Sequence, residues 1–458
     1  MLCAILLFFG LTTTLFHHRH PCEHFVKIAT PFKLVLPLSL LLLGLLLLHV
    51  LPFHRAVTYA IVFVSTSLVY LWVARVLFIS DPSPRFLFFA VAAFFLVRLS
   101  FLTLDPIGSD DVYRYMWDGK AQSSGINPYA YAPNAPELGS LHTLLLPASV
   151  NHPDMKSVYF PVSQWMFYGG YLLSGESVWG YRLIFLVAEI LTVLGLFSLV
   201  SRLHVPRKFV LLYAVCPLPI IQFALDAHLD GLGLPFLVFA LVSYLDGRKV
   251  LSYALIAVSI SIKPVALLLL PILFLRERGV WNKVRVIVIP LVLFFAQFFP
   301  YLFTSNPFQA LFTFARNWTF NGVVFETLDL LFANNQTTRL VCAVLLCCAL
   351  LVLYWRKRDP FEALYYSVLL LLIFSPVVHP WYVVWLTVLL PVVQRWSGIL
   401  FSSAVSLTAY TVVRYQLYGV WDQSALVLAV EYLPILVLLI FEFHRLRRDP
   451  GPGSPRLI

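Results

Sequence analysis

The segment Gly108–Gly119, with the sequence GSDDVYRYMWDG, is a dense polar and aromatic run in an otherwise apolar chain. Its adjacent carboxylates, Asp110 and Asp111, repel each other and cost free energy to hold near a membrane. Such groups are rarely kept there without a task such as metal binding, proton abstraction or cation recognition. The run begins just after an apolar segment ends, so we expect both acids where the membrane meets water. This placement indicates chemistry on a lipid-borne substrate at a membrane surface.

The composition is that of an integral membrane protein. Of the 458 residues, 60% are hydrophobic and 12% are charged, against about 25% charged in soluble globular proteins, and the mean hydropathy is +0.86. Apolar runs of about 20 residues, long enough to span a bilayer, recur along almost the whole chain. The net charge of +10 is explained by Lys and Arg that gather in alternate loops, as the positive-inside rule requires. We therefore expect the lipid bilayer as a partner and no nucleic acid.

These runs predict an all-α membrane protein with about 12–14 transmembrane helices. Two short stretches, 250–262 and 264–276, are expected to form a hairpin, since one long helix would carry the following basic residues to the wrong side. The stretch 160–175 is too short to cross and is predicted as an interfacial helix. We expect one membrane domain over 1–458, made of N-terminal helices at 1–80, a core at 85–303 that includes a first outer loop at 105–159, a second outer loop at 304–338, C-terminal helices at 339–443 and a cytoplasmic tail at 444–458.

Five polar clusters fall on the outer side in this topology. They are the Asp110–Asp111 loop and the segments 226–231, 263–264, 316–322 and 379–382. Each also has a structural interpretation: a solvated loop, a helix N-cap by Asp226 or Asp230, snorkelling by Lys263, an interfacial aromatic belt and a histidine at a helix end. Their position on one side of the membrane favours a single site.

The residue types in these clusters fit the transfer of a sugar from an anionic lipid carrier. Asp110 and Asp111 are the candidate catalytic acids. Cationic or imidazole groups that could bind the carrier's phosphate are Arg114, Lys263, Arg316 and His379. Aromatic, amide and other polar groups that could bind the sugar or its acceptor are Tyr113, Trp117, Asp118, Asn127, Tyr129, His228, Asp230, Asn317, Trp318, Asn321, Trp381 and Tyr382. Glu189 lies mid-span and is instead expected to bond another helix.

The motifs resemble a known family. The first-loop pattern SDDVYRY, WDG and GINPY, within residues 109–129, is similar to the first outer loop of bacterial GT-C glycosyltransferases. The similarity is greatest to the polyprenyl-phosphate-mannose-dependent mannosyltransferases, the family 87-like group. Further segments that resemble this group in order and spacing are His228–Gly231, Ile262–Pro264, Asn317–Gly322, Ser375–Pro376 and His379–Tyr382.

This resemblance implies a GT-C multi-helix bundle with interfacial helices in the first outer loop. It also implies a polyprenyl-phosphate sugar donor, with mannose favoured, and a glycan or glycolipid acceptor of the cell envelope. One of Asp110 and Asp111 would be the general base, while the other would orient the acceptor or help to hold a metal. The sequence does not rank the two, and without a D-x-D motif a divalent metal stays open. The expected location is the inner (plasma) membrane, with the active site on the periplasmic or extracellular side.

Two other functions fit part of the pattern. A transporter or lipid-sugar flippase would place ionisable groups near the bilayer midplane and often shows repeat halves, whereas the polar clusters here lie at the outer ends of spans. A polysaccharide polymerase or ligase with a lipid-diphosphate donor would also place acids and cations outside.

Overall fold

The computed structural model describes residues 30–50, 54–302, 305–356 and 359–448. The beginning of the expected N-terminal helices and the end of the expected tail lie outside these residues. Within them the chain is helical, and the only β-type pairing is an isolated parallel bridge between Phe320 and Val377. The prediction of an all-α fold is therefore confirmed.

The α-helices are numbered here along the chain. They are α1 Thr30–Leu46, α2 Arg55–Ile79, α3 Pro84–Ser100, α4 Asp111–Ser123, α5 Pro161–Ser174, α6 Val178–Arg202, α7 Leu211–Ala214, α8 Pro217–Pro219, α9 Asp230–Leu245, α10 Lys249–Ile260, α11 Leu269–Arg276, α12 Val280–Ala296, α13 Gln309–Asn317, α14 Val323–Phe332, α15 Asn335–Arg356, α16 Pro360–Phe374, α17 Pro380–Thr387, α18 Leu390–Val393, α19 Trp396–Ala404, α20 Ala409–Tyr418 and α21 Ala425–Arg448. Short 3₁₀ segments and one π-helical turn, Ile220–Leu225, connect or extend them.

Several of these helices are long and apolar enough to cross a membrane. By length and composition, five described segments qualify: Arg55–Ile79, Val178–Arg202, Asn335–Arg356, Trp396–Tyr418 and Ala425–Glu442. A sixth would be the pair Arg207–Ala214 and Pro217–Leu225, which is bent by 45°. Shorter apolar helices, of 10–17 residues, are Lys33–His49, Asp230–Leu245, Lys249–Ile260, Pro264–Arg276 and Pro360–Phe374. The chain is a multi-pass membrane bundle.

The expected hairpin at 250–276 is confirmed by a contact between its two ends. Lys249, the first residue of α10, places its Nζ 2.6 Å from Oε2 of Glu277, which directly follows α11. The chain reverses at Lys263, whose extended backbone is the conformation that a following proline favours. Lys263 therefore lies at the opposite end of the bundle from Lys249.

The first outer loop contains two closely packed helices, α4 and α5. On α4, Val112, Tyr115 and Met116 form a fully buried face at helical spacing. A Cβ atom on Gly119 would lie 2.4 Å from the Phe167 carbonyl oxygen, so only glycine allows this contact. Helix α5 coincides with the helix predicted at 160–175, and its 14 residues are too short to span a bilayer.

The mid-span acid Glu189 is bonded to other helices, as expected. Its carboxylate lies 3.2 Å from Nη2 of Arg98 on α3 and accepts a hydrogen bond from the Tyr213 hydroxyl on α7. Arg98 also donates to the carbonyl oxygen of Ala214 at 2.9 Å. These buried bonds connect α3 and α6 to the point where the chain bends after α7.

Candidate active site

The loop that carries the two aspartates is held by Asp226. One oxygen of this fully buried carboxylate accepts hydrogen bonds from the backbone N–H groups of Ile107, at 3.0 Å, and Gly108, at 2.8 Å. The other oxygen accepts from the Tyr59 hydroxyl at 2.9 Å. The interpretation of Asp226 as a helix N-cap is therefore wrong, because its acceptors are used by the loop. Asp226 fixes the start of α4 against α2.

Asp110 and Asp111 share one hydrogen-bond donor. Nδ2 of Asn151 lies 2.9 Å from Oδ1 of Asp110 and 2.7 Å from Oδ1 of Asp111. The backbone N–H of Asp111 donates to Oγ of Ser109 at 3.2 Å. Both acids stand at the N-terminal end of α4, where the helix dipole favours negative charge.

An aromatic stack begins beside Asp111 and consists of His228, Trp381, His379 and Phe320. Nδ1 of His228 lies 3.4 Å from Oδ2 of Asp111. The ring centroids are 3.5 Å apart for His228 and Trp381, 4.3 Å for Trp381 and His379, and 4.7 Å for His379 and Phe320. The interplanar angles are 20° or less, so the rings lie face to face. This aromatic stack forms one wall of the site.

A second acid–base pair adjoins the aromatic stack. Nζ of Lys263 lies 3.5 Å from Oδ2 of Asp230 and 4.2 Å from the ring centroid of Tyr382. The other Asp230 oxygen accepts from the Trp385 indole N–H at 2.8 Å. Asp230 makes no side-chain cap of α9, so the N-cap interpretation is wrong for this residue as well. The hairpin therefore places the Lys263 ammonium group at the site.

The segment around Asn321 is fixed by the C-terminal helix. The Asn321 side-chain amide donates to both carboxylate oxygens of Glu431, at 3.0 and 3.3 Å, and the Asn321 backbone carbonyl oxygen accepts from the Tyr432 hydroxyl. The neighbouring Phe320 exchanges backbone hydrogen bonds with Pro376 and Val378. Asn321 is fully buried and holds Phe320 in the aromatic stack.

Arg114 and Asp118 hold the first outer loop together. Nε of Arg114 lies 2.9 Å from Oδ1 of Asp118, and its Nη1 donates to the Met155 carbonyl oxygen at 2.8 Å. The second Asp118 oxygen accepts from Ser157 and Gln164. Both residues are buried, and their predicted contacts with substrate stay predictions.

The other predicted site residues lie in the two outer loops. Trp117 and Tyr129 are buried, with Trp117 edge-on to His142 and the Tyr129 hydroxyl bonded to the Tyr159 carbonyl oxygen. Asn127 donates to the Ser305 hydroxyl at 3.1 Å. Further residues, whose roles stay predictions, are Tyr113, which is half-buried, Arg316 and Asn317, which are exposed, and Trp318, which is edge-on to His152.

The pKa values of the two aspartates are shifted in opposite directions. Burial and the neighbouring Asp111 charge raise the pKa of Asp110, although the Asn151 amide acts in the opposite direction. Burial also raises the pKa of Asp111, but hydrogen bonding and charge from His228 and the Asn151 amide outweigh it and bring the pKa to about 2. Burial lowers the pKa of His379 to about 3, although Asp111 acts against it. At neutral pH, Asp111 is therefore ionised and His379 is neutral.

A divalent metal at Asp110 and Asp111 would need ligands beyond the two carboxylates. The Asn151 amide donates a hydrogen bond to Oδ1 of Asp110 and to Oδ1 of Asp111. Across the described ranges, no three His, Cys, Asp or Glu side chains are grouped to hold a metal ion.

The sequence alone did not single out four contributors to this site. Asn151, Phe320 and Trp385 contact predicted site residues. Tyr59 donates to Asp226, which holds the loop of the two aspartates. Phe320 and Trp385 lie within or near quoted motifs, and an aromatic residue beside a motif is a signal that could have been used. Asn151 lies in an irregular stretch, 40 residues from Asp111 along the chain, where no periodicity indicates its contact.

Two family models match the chain and identify it as a glycosyltransferase. Residues 35–277 match the model described as "Alpha-(1->6)-mannopyranosyltransferase, N-terminal domain", and residues 319–440 match the "MptB C-terminal domain". Since the first match alone covers more than half of the chain, the protein belongs to the α-(1→6)-mannopyranosyltransferase family. The resemblance to mannosyltransferases is thereby confirmed.

Among solved structures, the chain is similar to ArnT from Cupriavidus metallidurans. The identity is 16% to the structure bound to undecaprenyl phosphate and 17% to the apo structure. In both cases the TM-score is 0.43, with 78% of this chain and 72% of that chain covered. No curated protein matches the chain.

Proposed function

We propose that the protein transfers a hexose from a polyprenyl-phosphate carrier to a hydroxyl group of a glycan or glycolipid, with inversion at the anomeric carbon. The family favours mannose as the hexose. The observation that carries the proposal is the meeting of Asp110, Asp111, His228, Asp230 and Lys263 at one end of the bundle. Two acids, a cation and an aromatic wall are the groups that such a transfer needs.

In this proposal Asp110 is the general base. Asp111 is bonded by Asn151 and lies beside His228, so its low pKa makes it a weak base and a fixed negative charge. The carboxyl with the raised pKa is the better proton acceptor near neutral pH. Asp111 and His228 would then orient the acceptor.

The transfer is a single displacement. The acceptor oxygen attacks the anomeric carbon and forms the new glycosidic bond as its proton passes to the Asp110 carboxylate. The bond between the anomeric carbon and the phosphate oxygen breaks on the opposite face, and its electron pair leaves with polyprenyl phosphate. A positioned base of this kind contributes about 10²–10⁴-fold to the rate.

Lys263 is the proposed contact for the departing phosphate. Its ammonium group is already at the site, beside Asp230 and over the Tyr382 ring, and its side chain is 22% exposed. A cation placed where charge develops lowers the barrier. Arg316, exposed in the second outer loop, is a second candidate for this contact.

The proposed location of the site is the outer face of the inner (plasma) membrane. Lys249 and Glu277 mark the bundle end opposite Lys263. Arg202 and Asp246, which are paired at 2.6 Å, flank α6 and α9 at that same end. Basic loops favour the cytoplasmic side, which would leave the aspartates outside.

The test is transfer by the purified protein in nanodiscs, with labelled polyprenyl-phosphate mannose as donor and an alkyl α-mannoside as acceptor. We expect a mannosylated product, and a strongly reduced rate for Asp110→Asn and Asp111→Asn. Absence of product with wild-type protein, or wild-type rates in both variants, would contradict the proposal. Competition by a lipid-diphosphate sugar instead of the monophosphate would favour a polymerase or ligase.

A further inference from the structure

The structure gives Asn151 a contact that no sequence motif predicts. Its amide nitrogen carries two hydrogens and lies within 3 Å of one oxygen of each aspartate, at 2.9 Å from Asp110 and 2.7 Å from Asp111. Adjacent carboxylates repel each other. A shared neutral donor lowers that cost without adding a positive charge that would cancel the basicity of the pair.

The segment 151–157 that carries Asn151 is fastened on several sides. The Met155 carbonyl oxygen accepts from Arg114, and the Ser157 hydroxyl donates to Asp118 at 2.6 Å. The Pro153 carbonyl oxygen accepts from the backbone N–H of Asn134 at 3.1 Å. Since these bonds do not involve Asp110 or Asp111, contacts elsewhere in the loop set the direction of the Asn151 amide.

The second outer loop also contacts this segment. The His152 ring packs edge-on against Trp318, with ring centroids 4.8 Å apart. His152 has a φ of 46°, a left-handed conformation that is uncommon for a residue other than glycine. The turn that presents Asn151 to the aspartates is therefore tightly defined.

We propose that Asn151 is a positioning residue of the transfer site, which joins Asp110 and Asp111 into one unit and gives them different tasks. Together with His228 it anchors Asp111, while it engages only Oδ1 of Asp110 and leaves Oδ2 for the acceptor hydroxyl. The proposal rests on the proposed function, because it concerns the same proton transfer. It assigns Arg114 and Asp118 the task of holding the Asn151 segment.

The test is the pH dependence of kcat/KM for two variants in the nanodisc assay with labelled polyprenyl-phosphate mannose. Asn151→Ala removes the shared donor, and Asn151→Asp keeps the shape but replaces the donor with a third carboxylate. Because the Asn151 amide favours the ionised form of Asp110 and Asp111, its loss should move the acid limb of the kcat/KM profile to higher pH, by about one to two pH units. The shift should be larger for Asn151→Asp, and the rate above the limb should approach that of wild type.

Asn134→Ala is the matched control. It removes the 3.1 Å bond from the Asn134 side chain to Asp154 in the same segment and leaves Asp110 and Asp111 untouched. The acid limb of its kcat/KM profile should therefore coincide with that of wild type. The inference is overturned by unshifted limbs in both Asn151 variants, by a loss of rate equal at every pH, or by the same shift in Asn134→Ala. Equal rates for wild type and Asp110→Asn would instead overturn the proposed function.

Discussion

Replacing Gly108 by alanine should slow sugar transfer by about two orders of magnitude. A Cβ atom at this position would lie 2.2 Å from the Tyr59 hydroxyl oxygen and 2.5 Å from Oδ2 of Asp226. Ordinary contacts between heavy atoms begin near 3.5 Å, so either the loop or these side chains must move by about 1 Å. Tyr59 and Asp226 are buried and bonded to each other at 2.9 Å, and the loop is therefore expected to yield.

The displacement would be passed directly to the reacting group, because Asp110 is two residues further along the chain. A misplacement of about 1 Å can cost about 10²-fold in rate. The assay is the steady-state rate with labelled polyprenyl-phosphate mannose, with the free energy of unfolding measured alongside, since overpacking costs about 1–3 kcal/mol.

Gly139→Ala is the control for this experiment. It lies in the same outer loop, and a Cβ atom there would meet nothing within 4 Å, so its rate should equal that of wild type. A wild-type rate in Gly108→Ala would show that the position of this loop does not control the transfer, as would an equal loss in both variants.

Three further predictions concern the bundle and the charges of the site. Lys263→Ala should lower kcat/KM for the donor by about 10–100-fold, since it removes a charge-assisted contact and leaves Asp230 without its cation. An unchanged kcat/KM for the donor would contradict this. Arg98→Met should lower the free energy of unfolding by about 3–5 kcal/mol because Glu189 loses its buried partner, and adding Glu189→Gln should restore much of that loss. Equal unfolding free energies for the single and double variants would count against this ion pair. The rate should fall as pH drops through the pKa of Asp110, which burial and the Asp111 charge raise, and a pH–rate profile without an acid limb would be inconsistent with Asp110 as base.

Much of the bundle could be predicted from local sequence. The run 178–200 became α6, Val178–Arg202, because burial of an apolar span in lipid depends on composition and length. The hairpin at 250–276 followed from the placement of basic residues. Pro217 and Pro219 indicate the break in the span near residue 216, since proline interrupts helical hydrogen bonding.

The site was harder to predict where contacts cross irregular loops. Arg114 and Asp118 are four residues apart, a spacing that brings side chains together on a helix, and the structure joins them at 2.9 Å. The bond from Asn151 to Asp111 has no such spacing rule. It depends on how a long loop folds back, which is set by tertiary contacts that a single sequence does not display.

The single-turnover rate of Asp110→Asn tests directly whether Asp110 is the general base. Asparagine keeps the size of the side chain but cannot accept the acceptor's proton. Labelled polyprenyl-phosphate mannose, bound to excess protein in nanodiscs and mixed with an alkyl α-mannoside, should react about 10²–10⁴-fold more slowly than with wild type. Donor binding by the variant should be retained. A single-turnover rate equal to that of wild type would contradict the role of Asp110 as general base.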